Sequence, residues 1–163
     1  MKKNQTLFLT QAAMIATIYV VLTGLAAGFD LANGAIQVRF SEALTVLPFF
    51  TPAAVPGLTI GCLLSNILFS GNIFDIIFGT LATLIGAVGT RMLRKNRWLC
   101  SIPPIISNAL IIPPVLTFAY HIPGGIPFQM LTVGAGEVIC CLIFGQILIS
   151  ALMPARTKIF GEE

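Results

Sequence analysis

Long stretches of this chain carry no charge at all. Leu7 to Ala27 has no ionisable carboxylate or amine, and neither has Ala43 to Asn72, a run of 30 residues. About 20 apolar residues suffice to cross the hydrocarbon of a bilayer. There the backbone must satisfy its own hydrogen bonds, which selects helices. Composition agrees: 9% of the 163 residues are charged, against about one quarter in a soluble domain, 56% are apolar, and the mean hydropathy is +0.95. These values exclude a soluble globular domain, a disordered chain and a nucleic-acid-binding surface. They leave an integral membrane protein of one domain, residues 1–163.

The few charges fall in blocks. Lys2 and Lys3 open the chain, Arg91, Arg94, Lys95 and Arg97 cluster in the middle, and Arg156 and Lys158 close it; Arg39 stands apart. Basic clusters beside spans stay on the cytoplasmic side. Both termini and the central cluster are therefore predicted inside, with an even number of spans between clusters.

The first span is predicted over 7–27. Leu25-Ala26-Ala27 resembles a signal-peptide cleavage site, but the run is long for a signal sequence. A straight helix over 43–72 would be about 45 Å long, well beyond the hydrocarbon thickness. Pro48, Pro52 and Pro56 interrupt it, so two short helices are predicted, 40–52 and 55–69, with an inner turn at Thr51-Pro52. A fourth span over 75–91 restores the parity. A fifth over 99–119 carries Pro103, Pro104, Pro113 and Pro114 and is predicted kinked. After the turn-rich stretch Tyr120 to Pro127, a sixth over 128–153 ends at Pro154. The fold class is thus an all-α membrane protein, six transmembrane helices in a single bundle in the cell membrane.

Small residues recur at helical spacing: Ala12 and Ala16 on the first helix, with Ala13 and Thr17 one step round; Gly57, Gly61 and Ser65 on the third; Ala82, Gly86 and Thr90 on the fourth. Such stripes let helix backbones approach closely in lipid. Packing within the bundle is the expected role, except on the terminal first helix, which can present its stripe to another protein.

No nucleotide-binding Gly-rich Lys motif, no His-Glu-x-x-His and no Cys-x-x-Cys pair occurs, so no metal, cofactor or catalytic constellation is predicted. Cys62, Cys100, Cys140 and Cys141 sit in apolar runs as small hydrophobes. His121 is the lone histidine, a weak metal or catalytic signal.

Four acidic residues lie outside the C-terminal tail: Asp30, Glu42, Asp75 and Glu137, all in the predicted outer half. Asp30 reads as a solvated loop charge. Asp75 either favours the N-terminus of its helix through the dipole or contacts a ligand. Arg39 and Glu42, three apart, either pair with each other or line a site. Glu137 is predicted about ten residues into the sixth helix, roughly 15 Å below its outer end and close to mid-bilayer. A carboxylate at that depth marks a functional site facing the bundle interior. Asn108 sits at a comparable depth on the fifth helix. Asn66, Asn72, Gln37 and Gln129 are further polar candidates, and Phe74, Phe78, Phe118 and Tyr120 offer aromatic faces at the outer end. The candidate ligand residues are Glu137, Glu42, Asp75, Asn108, Asn72, Arg39, Tyr120 and Phe78. Carboxylates, amides and aromatic walls suit a small, flat, polar molecule, cationic or with paired N–H donors.

The stretch Gln37-Val38-Arg39-Phe40-Ser41-Glu42-Ala43-Leu44-Thr45-Val46-Leu47-Pro48 resembles the signature of the QueT family, and Asp75 to Leu84 resembles a second part of it. QueT proteins are substrate-binding S components of energy-coupling factor (ECF) transporters, assigned to queuosine precursors, which are 7-deazaguanines. The resemblance covers essentially the whole chain. It implies a ligand held near the outer face, docking through helix 1 on a transmembrane coupling protein that carries two ATPase subunits, and toppling in the membrane for release. The alanine motif of that docking face would fall on Ala12 and Ala16. No individual ligand contact carries over. Alternatives are an S component for another vitamin-like solute, or a self-sufficient small oligomeric transporter or channel. A membrane enzyme is disfavoured because no catalytic constellation is visible.

Overall fold

Charge blocks and prolines divide the chain where its helices end. The computed structural model describes residues 2–29, 39–121 and 125–161, with side chains from residue 5 of the first stretch. Six helices follow one another: α1 (Lys2–Gly28), α2 (Phe40–Phe49), α3 (Ala54–Ser70), α4 (Asp75–Met92), α5 (Leu99–Phe118) and α6 (Gly125–Phe160). No strand occurs among the described residues. By length and composition α1, α4, α5 and α6 can each cross a membrane, whereas α2 and α3 are shorter apolar helices. Leu9, Met14, Val21, Leu68, Leu131 and Ile147 are exposed on the outside of the bundle. An apolar exterior of this kind belongs in lipid, and the protein is a multi-pass membrane protein.

The prolines act differently from one site to the next. Of the three in 43–72, Pro52 falls in the break between α2 and α3 at residues 50–53, whereas Pro48 lies inside α2 and Pro56 in the first turn of α3. α5 runs unbroken through Pro113 and Pro114, while Pro103 sits in its first α-helical turn, where a missing N–H is harmless. α6 does not end at Pro154. A short 3-10 turn, Met153–Ala155, accepts that proline at its start, and the helix continues to Phe160.

α2 is wound as a 3-10 helix over all ten residues. Its first bond runs from Glu42 N to Arg39 O at 2.9 Å, the three-residue spacing of that winding. A 3-10 helix rises about 2.0 Å per residue, so α2 covers about 20 Å where an α-helix would cover about 15 Å. Side chains three apart eclipse one another. Glu42, Thr45 and Pro48 therefore stand in one row, with the extended Arg39 just ahead of it. Three wider π segments interrupt the α-helices, at Asn66–Ser70, Asp75–Gly79 and Val138–Phe144.

α2 forms the axis of the bundle and touches every other helix. Its Leu44, Val46 and Leu47 join Tyr19 of α1, Leu58 of α3, Ala87 of α4 and Ile149 of α6 in the main apolar core. A second core of Ala82, Ile112, Leu116 and Val133 ties α4, α5 and α6 together. Close approach is made by glycine. A Cβ on Gly145 would stand 2.6 Å from Val46 Cγ1, and one on Gly57 would stand 2.8 Å from the Ala12 carbonyl oxygen.

That last contact changes the reading of the first helix. Ala12 and Ala16 are buried, and they face Gly57 and Gly61 of α3 inside the chain rather than a surface open to another protein. Two glycines opposite two alanines make the small-to-small pair that lipid favours. Ala13 and Thr17, one step round, are exposed.

The basic clusters share one end. Gln11 of α1 donates to Ile159 O at 3.0 Å, Arg91 donates to Pro48 O at 3.2 Å, and Arg97 donates to Gln146 Oε1 and Ser150 Oγ, both at 3.2 Å. Gln146 in turn donates to Arg97 O. The start of α1, the 93–98 turn and the end of α6 are thereby drawn together. Glu42 lies near the opposite end of α2.

Candidate functional site

The row along α2 meets α5 and α6 at a buried polar cluster. Asn108 of α5 stands between two carboxylates. Its side-chain amide donates to Glu137 Oε1 at 2.9 Å and, over a longer 3.4 Å, to Glu42 Oε2. The remaining oxygens also have donors. Tyr19 of α1 donates its hydroxyl to Glu42 Oε1 at 2.5 Å, and the Cys141 thiol lies 3.2 Å from Glu137 Oε2. Thr45 Oγ1 donates to Glu42 O at 2.6 Å and lies 3.3 Å from Cys141 Sγ. All six side chains are buried. Four helices thus hold two carboxylates by a phenol, an amide and a thiol.

Local winding positions these groups. Glu42 and Thr45 share a face because α2 is 3-10; on an α-helix a step of three would turn them about 60° apart. On α6 the π segment begins directly after Glu137, and Cys141 lies within it. π segments often mark functional sites.

Arg39, Asn108, Ile112, Val133 and Glu137 enclose a small cavity of about 10 Å³. That is room for about one water centre. Its walls are a guanidinium, a carboxyl group, an amide and two apolar side chains. Arg39 faces the same space as Glu137, so its charge opposes that of the carboxylates.

Ligand atoms of Glu42, Glu137 and Cys141 lie within 4.8 Å of one another, close enough for a metal ion. However, the Asn108 amide already directs N–H donors at both carboxylates. A donor has no lone pair for a cation.

A second polar group lies where the start of α4 meets the end of α5, away from the basic clusters. Tyr120 donates its hydroxyl to Asp75 Oδ2 at 2.5 Å. Tyr120 lies beyond the end of α5, and its hydroxyl is pushed up to about 12, first by partial burial and then by the Asp75 carboxylate. It remains a donor at neutral pH. The Asp75 carbonyl opens a π segment and accepts from Asn66 Nδ2 at 2.9 Å. Asn72 accepts from the backbone N–H of Phe74 at 3.0 Å, a local turn at the head of α4. Gln129 is buried on α6 and accepts from Thr117 at 3.0 Å. Gln37 and Asp30 lie outside the described residues.

The aromatic side chains lie elsewhere. Phe74, Phe78 and Phe118, with Leu81, Ile111, Pro114, Val115 and Ala119, line an apolar crevice of about 430 Å³ between α4 and α5. Phe74 and Phe78 stack there at 6.4 Å between ring centres. They are four apart, on the exposed face of α4, whereas the neighbouring Asp75 is turned inward. Phe78 is therefore not brought to the carboxylate cluster.

Residues 9–154 match the family of QueT transporters. The chain belongs to the QueT transporter family. Over 85 residues it is 41% identical to a protein of Lactococcus lactis subsp. cremoris (strain MG1363) described as queuosine precursor transporter QueT. The match takes in 52% of this chain and 50% of that relative, so it spans half the relative's length. No solved structure matches.

Within this QueT chain, the sequence reading singled out Glu137, Glu42, Asn108 and Arg39, and the structure brings these four together. It missed Tyr19, Thr45 and Cys141. A tyrosine in an apolar helix and a cysteine beside another cysteine read as filler. The available signal was spacing: Thr45 follows Glu42 by three, and Cys141 follows Glu137 by four.

Proposed function

We propose that this QueT family member is the substrate-binding subunit of an ATP-driven importer of the energy-coupling factor type, taking up a 7-deazaguanine queuosine precursor across the cell membrane. The observation that carries the reading is the buried pair Glu42 and Glu137 around Asn108, with Arg39 beside them. Two carboxyl groups beside one guanidinium make a site rich in hydrogen-bonding oxygens. Carboxylate oxygens accept paired N–H donors, as on the guanine-like edge of a 7-deazaguanine. Family membership and the name of the Lactococcus relative support the solute class.

A cavity of about 10 Å³ is far below the roughly 300 Å³ at which ligand pockets begin. Binding a bicyclic ring therefore requires its walls to part, and in this reading Ile112 and Val133 move away from Arg39. The basic end faces the cytoplasm by the positive-inside rule, and the carboxylate cluster then faces outward. Docking on a coupling protein falls to the exposed side of α1, at Ala13 and Thr17, since Ala12 and Ala16 are packed against α3.

The test is calorimetric titration of the purified chain with charged and neutral 7-deazaguanines, paired with uptake in cells with and without co-expressed coupling protein and ATPases. Stoichiometric binding, with uptake only in the full complex, is expected. Uptake by the chain alone would replace this reading with a self-sufficient transporter. Absence of deazaguanine binding would redirect it to another solute.

A further inference from the structure

At the basic end a cavity of about 330 Å³ is lined by Arg94, Lys95 and Arg156 together with Phe49, Phe50, Phe160 and Gly161. The cations come from two elements far apart in sequence, the 93–98 turn and the last turn of α6. The aromatic floor is ordered. Phe50 and Phe160 stack at 5.0 Å with 6° between their planes, and Phe49 meets Phe50 edge-on at 5.1 Å. The continuation of α6 past Pro154 is what brings Arg156 and Phe160 to this place.

We propose that this pocket binds the phosphate-bearing headgroup of an anionic phospholipid from the leaflet at the basic end. Three features converge on that occupant. Guanidinium groups fork onto phosphate oxygens, and an ammonium adds a point charge. The three phenylalanines below offer apolar surface that a free inorganic anion does not use and the glycerol and upper acyl segments of a lipid do. The surroundings are interfacial. Exposed Met92, Leu93, Trp98 and Ile159 flank the basic side chains, and Arg97 lies over the Trp98 ring at 5.2 Å. Tryptophan beside arginine at the end of a span sits at headgroup level. Basic pockets between helices at that level are suited to anionic headgroups. The pocket is separate from the carboxylate cluster at the other end of α2 and does not depend on the identity of the transported solute.

The experiment is native mass spectrometry of the purified full chain with phosphatidylglycerol or phosphatidylcholine of matched acyl chains. With three basic side chains in the lining, phosphatidylglycerol adducts are expected at about 100-fold lower lipid concentration. Near a membrane surface each basic side chain contributes roughly a five-fold preference for anionic lipid. Arg94→Gln with Arg156→Gln should therefore remove most of the difference, and the single exposed variant Lys95→Gln should reduce it several-fold without threatening the fold. Deazaguanine titration of each variant should be unchanged, which separates this site from the transport site. Glu162 and Glu163 follow Gly161 covalently and lie outside the described residues; Glu162→Gln with Glu163→Gln should leave the adduct equal or stronger. Equal adducts with both lipids, a preference untouched by Lys95→Gln and the double variant, displacement of phosphatidylglycerol by millimolar inorganic phosphate, or adduct loss in the glutamine tail variant would each overturn the proposal.

Discussion

Tyr19 donates its hydroxyl to Glu42 across 2.5 Å, joining the first helix to the carboxylate cluster. Three residues earlier, on the same buried face, Ala16 lies against Gly61 of α3. The face of α1 that packs on α3 and the group that orients one carboxylate are therefore parts of one rigid stretch.

Tyr19→Phe keeps the ring and deletes the donor. Glu42 Oε1 is then buried without its partner, which should lower stability by about 1–3 kcal/mol. Thermal unfolding in detergent measures the loss. An unchanged midpoint would mean that another donor takes over.

Glu137→Gln should weaken deazaguanine binding roughly 10- to 150-fold, the cost of losing a hydrogen bond to a charged group. The chain should stay folded, because the Gln carbonyl can still accept from Asn108. Calorimetry on the folded variant decides, and wild-type affinity would remove Glu137 from recognition.

Asn108→Asp is expected to be the most damaging change in the cluster. It replaces the shared donor with a third carboxylate between Glu42 and Glu137. Breaking a buried charged network by one partner costs about 3–5 kcal/mol. Loss of the monodisperse peak in size-exclusion chromatography, or a large drop in unfolding midpoint, is the expected result.

Ala12→Leu should destabilise the chain itself by about 1–3 kcal/mol, since the Gly57 backbone is already in contact and extra methyl groups overpack the interface. Ala13→Leu and Thr17→Leu point outward and should leave unfolding and ligand binding intact while reducing uptake by the full complex. Comparing thermal unfolding and uptake across the three variants separates internal packing from docking.

For orientation, a cysteine at Gly71 should react with an impermeant maleimide added to intact cells, and one at Asn96 should not. The four native cysteines are buried and give little background. Labelling at position 96 would invert the assignment of sides.

The helices were legible because charge and apolar length are direct statements about solvent. Arg91 to Arg97 had to leave the membrane, and Pro52 had to separate two short helices. Glu137 and Asn108 were legible for the same reason, as polar groups in runs that otherwise exclude them. Direction was harder to read. Phe78 was expected at the polar site because aromatic identity does not say which face of a helix it occupies, and a π segment beginning at Asp75 alters the phase there. The small size of Ala12 and Ala16 is informative, but smallness does not tell a partner in the same chain from one in another. A proline opening a new turn and a proline closing a helix look alike in one dimension, so the sequence places the end of α6 at Pro154 although the helix continues to Phe160.

The ten-residue winding of α2 also fixes how the chain can vary. Removing one residue from a 3-10 helix shortens it by about 2 Å and rotates everything beyond the deletion by about 120°. A deletion between Thr45 and Phe49 would leave Glu42 facing Asn108 only by turning Phe49 and Phe50 off their aromatic stack at the basic end. Retaining the stack would swing Glu42 toward another helix. Phe40 to Phe49 is thus a ruler with marks at both ends, and side chains along it can be exchanged far more readily than its length.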